Sequence, residues 1–183
     1  MALAPSLYAL FALALALRLG TVALSRRHER RLRARGAVEL GAETSLLLAL
    51  LHALIYLACL LEGLARGAHP DATSYAGMTL YALSMLALAV VVRRLGPLWT
   101  VKLLVLPDHP VRRDWLFRFV RHPNYVLNLV PELIGLNLAF HAWTTLAVLG
   151  PLYLAVLIVR ILQEERAHRT MAGASDQGAG GAT

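Results

Sequence analysis

Four apolar blocks, separated by charged or turn-rich segments, organise the chain: residues 2–24, 45–64, 75–92 and 125–162. The first is rich in Leu and Ala and is interrupted only by Arg18 near its end. The second and third are each close to the ~20 residues that a helix needs to cross ~30 Å of hydrocarbon. The fourth is too long for one crossing. Its middle, from Asn137 through His141 to Trp143, is a polar and aromatic break of the kind found at a bilayer interface. That block therefore predicts a tight helical hairpin. The whole pattern predicts an all-α membrane protein of five transmembrane helices, the last two forming the hairpin.

Charge assigns a direction to these helices. Arg26, Arg27, Arg30, Arg31, Arg33 and Arg35 follow the first block. Arg93, Arg94, Lys102, Arg112, Arg113, Arg118 and Arg121 follow the third, and Arg160, Arg166 and Arg169 close the last. Between the second and third blocks there is only Arg66, and the hairpin tip carries no Lys or Arg. The positive-inside rule then expects the N-terminus outside and the C-terminus cytoplasmic. The first block is expected to be a retained helix, because its basic cluster follows the apolar run, whereas a cleaved signal begins with one.

Composition agrees with lipid as part of the solvent. The chain is 58% hydrophobic and 16% charged, against roughly 25% charged in soluble domains. The net charge of +7 records topology, since the cations lie between the apolar blocks, and no nucleic-acid partner is expected. Cys59 is the one cysteine, so neither a disulfide framework nor a Cys-rich metal site can form, and no metal is expected. Residues 1–170 are expected to be a single integral membrane domain with its chemistry in 95–169. The Gly/Ala/Ser-rich residues 171–183 are expected to be a disordered tail.

The segment 95–122 is more than a linker. Residues 98–106 are β-branched and aromatic, Pro107-Asp-His-Pro110 is a turn signal, and 111–120 mixes Trp115, Phe117 and Phe119 with arginines. A short amphipathic excursion against the membrane, either hairpin or helix, forming a wall or lid, fits this composition.

Chemistry concentrates at one mouth. In Arg121-His-Pro-Asn-Tyr125, Pro123 favours extended geometry at His122 and suits the first turn of a helix. The helix start then offers unpaired N–H groups and a positive dipole end, beside the cation of Arg121 and the ring and hydroxyl of Tyr125. Within the following span, Asn124, Asn128 and Glu132 are spaced to share one helical face. Pro131 frees the carbonyl of Leu127 one turn back. A carboxylate in hydrocarbon costs about 2.5–3.5 kcal/mol even on the mildest scale, so Glu132 is a functional or network candidate. At the end of the last span, Arg160 and Glu164 are one turn apart, with Glu165 adjacent. The hairpin returns them beside residues 121–125. His52 with Tyr56, and Glu62 with Arg66, read as structural pairs, and Trp143 as an interface anchor.

Arg-His-Pro-Asn-Tyr at the start of one span, followed by Arg-x-x-x-Glu-Glu at the end of the next, resembles the isoprenylcysteine carboxyl methyltransferase family of integral membrane methyltransferases. The resemblance covers roughly residues 95–169 and the five-span layout. It implies S-adenosylmethionine as cofactor, held by the residues matching His122, Pro123, Tyr125 and Glu164 or Glu165, with Arg121 and Asn124 at the same mouth. It also implies that Arg160 and Glu164 lie near the methyl acceptor. Trp99 and Lys102 are expected to close over the cofactor. Many members carry Gly-x-Tyr before Arg-His-Pro and a glycine two residues after its tyrosine. Here Trp115-Leu-Phe117 and Leu127 stand instead. The Gly-Pro-Leu-Trp-Thr-Val-Lys and Asn-Tyr-Val-Leu-Asn runs are more similar to the bacterial branch that O-methylates alkylpyrones.

The expected reaction is O-methylation of a lipophilic carboxylate or acidic enol. Such an acceptor is already ionised, so alignment is the main task. The fork of Arg160 suits an oxyanion, and Glu164 would serve as base for an alcohol or amine. A phospholipid N-methyltransferase and a non-enzymatic membrane scaffold are the alternative readings. The expected partners are the bilayer and a lipophilic small molecule or lipidated substrate.

Overall fold

A computed structural model of the protein describes residues 3–106 and 124–179. Helix α1 runs over Pro5–Arg33, strand β1 over Val38–Leu40, α2 over Ala42–Arg66 and α3 over Ala72–Leu95. A 3₁₀ turn, Gly96–Leu98, leads to strand β2, Leu103–Val105. A π turn, Tyr125–Leu129, then opens α4, Val130–Ala139, and α5 covers Trp143–Ala179. The segments Pro5–Arg33, Ala42–Arg66, Ala72–Leu98 and Trp143–Ala167 are each long and apolar enough to cross a membrane. This is an integral membrane protein. The remaining apolar helix, Tyr125–Ala139, is shorter; at 1.5 Å per residue it spans only about 22 Å.

The long apolar block does divide where the aromatic break lies. Phe140 closes α4, His141 takes a left-handed conformation (φ 54°), and α5 starts at Trp143. His141 Nε2 sits 3.1 Å from Asp71 Oδ1 and 3.0 Å from Ser74 Oγ, tying this turn to the start of α3. Asp71 itself caps α3 by accepting from Ser74 N–H at 2.8 Å. The Glu62 carboxylate, paired with Arg66 as its spacing predicts, accepts from the N–H groups of Thr144 and Thr145 and so caps α5.

The basic cluster after the first block is mostly helix, because α1 continues through Arg33; its cations gather at the C-terminal end that the helix dipole favours. A small sheet departs from the all-helical expectation. The β-branched run at 98–106 supplies β2, whose antiparallel partner is β1, with Val38 opposite Val105 and Leu40 opposite Leu103. The amphipathic run at 111–120 lies outside the described residues.

The apolar spans pack through shape, since lipid tails provide no hydrophobic drive between helices. On α1 a stripe of Leu7, Phe11, Ala14, Arg18, Ser25, His28 and Leu32 turns inward at helical spacing. Phe11 meets Tyr56 of α2 and Phe140, with ring centroids 6.2 and 6.0 Å away. Helices α3 and α4 touch backbone to backbone. A Cβ on Gly77 would stand 2.5 Å from Gly135 O, and one on Gly135 would stand 2.7 Å from Tyr81 N.

Neither backbone atom can yield without parting the helices. Gly135→Ala is expected to cost about 1–3 kcal/mol, the usual penalty of overpacking, and to lower the Tm of the detergent-solubilised protein. An unchanged Tm would contradict this contact.

Candidate functional site

Two clusters of buried polar side chains lie between the middle of the bundle and its cation-rich end. The deeper group centres on Glu132, which is fully buried in α4. Its carboxylate pairs with the Arg18 guanidinium from α1, accepts from Tyr56 O–H of α2 at 2.5 Å, and lies 3.4 Å from His52 Nε2. His52 Nδ1 in turn lies 3.3 Å from Tyr153 O–H of α5. One acidic side chain thus gathers groups from α1, α2 and, through His52, α5. An unpaired charge at this depth would cost several kcal/mol, and the pair removes most of that cost.

Asn128 does not join this cluster, although its spacing places it on the face of Glu132. It is buried against α3, with Nδ2 donating to Ser84 O at 3.2 Å. The cause is the π turn. Pro131 has no N–H to donate, and Val130 N–H reaches back to Tyr125 O, five residues away. The wider turn rotates Asn128 out of register with Glu132. Asn124 stands just ahead of the turn, half-buried.

The second group lies at the end of the bundle where the cations gather. Tyr125 O–H donates to Glu164 Oε2 at 2.9 Å, so the start of the short helix meets the end of the last span. The same phenol lies against the guanidinium of Arg160. Arg160 is only 2% exposed. It donates to Ser45 Oγ at 2.9 Å and to the carbonyls of Leu40 and Val101 at 3.4 Å each. Glu165 is half-buried beside this cluster on the chain. The described structure therefore brings Tyr125, Arg160 and Glu164 together, as their positions in the sequence predict. Arg121, His122 and Pro123 lie outside the described residues.

Trp99 and Lys102 occupy the flank. The Trp99 side chain is buried against Leu88 and Val91 of α3 and Leu24 of α1, and its carbonyl accepts from His28 Nδ1–H at 2.8 Å. Lys102 Nζ pairs with Glu39 at 3.1 Å and lies 3.9 Å from Glu29. These contacts bind the segment ahead of β2 to α1, α3 and β1. No group of His, Cys, Asp and Glu able to hold a metal occurs among the described residues.

Three contributors escape a reading of the sequence. Arg18 carried the one available signal: a cation inside an apolar block needs an anion at similar depth, and Glu132 is that anion. Ser45 and Tyr153 look like ordinary span residues, and nothing in their local pattern marks them.

A model of the isoprenylcysteine carboxyl methyltransferase (ICMT) family matches residues 75–169, which include Tyr125, Glu132, Arg160 and Glu164. An uncharacterized protein of Haemophilus influenzae is 42% identical over 157 residues, covering 86% of this chain and 91% of that protein. The uncharacterized protein YpbQ of Bacillus subtilis is 25% identical over 159 residues, covering 86% and 94% respectively. No solved structure matches. With the family match extending over half of its length and taking in the cluster where the two helix ends meet, the chain belongs to the isoprenylcysteine carboxyl methyltransferase family of membrane methyltransferases.

Proposed function

We propose that this protein methylates the oxygen of a lipophilic carboxylate or acidic enol, using S-adenosylmethionine, at the cytoplasmic face of the membrane. The observation that carries the reading is the buried Arg160 guanidinium beside the part-buried Tyr125–Glu164 hydrogen bond of 2.9 Å. A guanidinium held in a low-dielectric setting by neutral oxygens keeps its positive field for an incoming oxyanion. Membership in a methyltransferase family supports the reaction class.

The donor set fits a zwitterionic cofactor. Glu164 and Glu165 offer carboxylate acceptors for its ammonium or hydroxyl groups, and Tyr125 offers a phenol and a ring. Arg121, His122, Pro123 and Asn124 would complete that binding edge. When bound, the cofactor supplies an electrophilic methyl group on a sulfonium. The tasks of the chain are then to hold the acceptor oxygen through Arg160, to exclude water by burial, and to align the two reactants. Glu164 would act as base only for an acceptor that is not already ionised. Asn128, Glu132, Trp99 and Lys102 would support the site as a network, through their contacts to α3, α1 and β1. A lipophilic acceptor reaches such a site from the bilayer.

Three experiments test this. Tyr125→Phe is expected to weaken S-adenosylmethionine binding by about tenfold, the worth of one hydrogen bond to a charged group. Arg160→Lys is expected to bind the cofactor normally but to transfer on the order of tenfold less tritium-labelled methyl into lipid extracts, since lysine lacks the planar fork. Full transfer by Arg160→Lys contradicts the orienting role, and a wild-type protein that binds no cofactor contradicts the reaction. For orientation, His69→Cys and Glu43→Cys are placed singly in a Cys59→Ala background. An impermeant maleimide should label position 69 in intact spheroplasts and position 43 only after permeabilisation; the reverse pattern would invert the topology.

A further inference from the structure

The part of the chain that precedes the family-matched segment reaches into the site. Gly41, Thr44 and Ser45, at the beginning of α2, all face the end of α5. A Cβ on Gly41 would overlap the side chain of Gln163, and Gln163 Nε2 donates to Thr44 Oγ1 at 2.9 Å. Ser45, itself buried, donates its O–H to Gly41 O at 3.0 Å. A hydroxyl has one donor and two lone pairs. With its proton committed inside the first turn of α2, the oxygen presents a lone pair to Arg160 Nη1 at 2.9 Å. The carbonyls of Leu40, in β1, and Val101, just ahead of β2, accept from the same guanidinium at 3.4 Å, beside the Tyr125 phenol.

We propose that Ser45 is a positioning residue for the methyl transfer: its hydroxyl fixes the orientation of the Arg160 guanidinium, and the clasp of β1, β2 and the first turn of α2 belongs to the active site. The inference rests on Arg160 as the group that orients the acceptor. Neutral acceptors suit that task. A carboxylate in the place of Ser45 would hold the fork equally well, but it would neutralise the field an anionic acceptor needs. A hydroxyl and two carbonyls fix the plane of the fork and leave its charge in place.

The test is a double-mutant cycle read in methyl transfer, with S-adenosylmethionine affinity and Tm measured on the same preparations. Ser45→Ala is expected to lower transfer by about tenfold, as loss of one hydrogen bond to a charged group does, with cofactor affinity near wild type and a Tm lowered only by the one lost buried bond. Ser45→Thr, which keeps the hydroxyl, should restore most of the activity, and Ser45→Cys should fall between. In an Arg160→Lys background, Ser45→Ala should cost little more, because the group it positions is gone. Wild-type transfer by Ser45→Ala overturns the proposal. So does an equal further loss in both backgrounds, or a fall in cofactor affinity that matches the fall in transfer. Full activity of Arg160→Lys overturns the role of Arg160 and this proposal with it, whereas an inactive Arg160→Lys with an unaffected Ser45→Ala overturns this proposal alone.

Discussion

A single ion pair in the apolar interior constrains how these helices assemble. Arg18 on α1 and Glu132 on α4 are 114 residues apart in sequence, and neither is tolerable in hydrocarbon without the other. Once they meet, the axial position of α1 against α4 is set. Tyr56 and His52 then satisfy the remaining carboxylate positions from α2. Tyr153 extends the network to α5, and on that helix it precedes Arg160 by seven residues, two turns along the same face. The depth of the buried pair thereby determines the height at which Arg160 meets Ser45 and Tyr125. The interior network and the cation-rich mouth are two levels of one framework.

Proline and glycine shape the part of that framework nearest the chemistry. Pro131 removes a backbone donor, and the chain responds with a π turn at Tyr125–Leu129. The turn sends Asn128 to α3 while leaving Glu132 to face α1 and α2. It also brings the Tyr125 hydroxyl to Glu164. Gly77 and Gly135 let α3 and α4 approach until their backbones touch, which closes one side of the short helix. The short helix is consequently held from both sides, by packing on α3 and by the ion pair towards α1.

Much of this was legible in the sequence because it is local. The apolar blocks, the break at His141, the Glu62–Arg66 pair and the one-turn spacing of Arg160 and Glu164 all follow from periods that lipid and the α-helix impose. The meeting of Tyr125 with Glu164 followed from the hairpin alone. The pairing of β1 with β2 was not legible, because three-residue strands carry almost no pattern and their partnership is tertiary. Asn128 was misplaced because the i, i+4 rule assumes α geometry, and the proline replaced it with a wider turn. Ser45 gave no signal, since a serine inside a span looks alike whether it bonds its own backbone or a distant guanidinium.

The dependence on the buried pair is most directly measured by a stability cycle on Arg18 and Glu132 in purified, detergent-solubilised protein. Glu132→Gln alone strands the Arg18 cation and should cost about 3–5 kcal/mol, and Arg18→Met alone should cost a similar amount by stranding the carboxylate. The double variant Arg18→Met with Glu132→Gln buries no charge and should recover most of that loss. Such recovery is the result expected if the pair holds α1 to α4. Additive losses in the double variant, or single variants as stable as wild type, would contradict it.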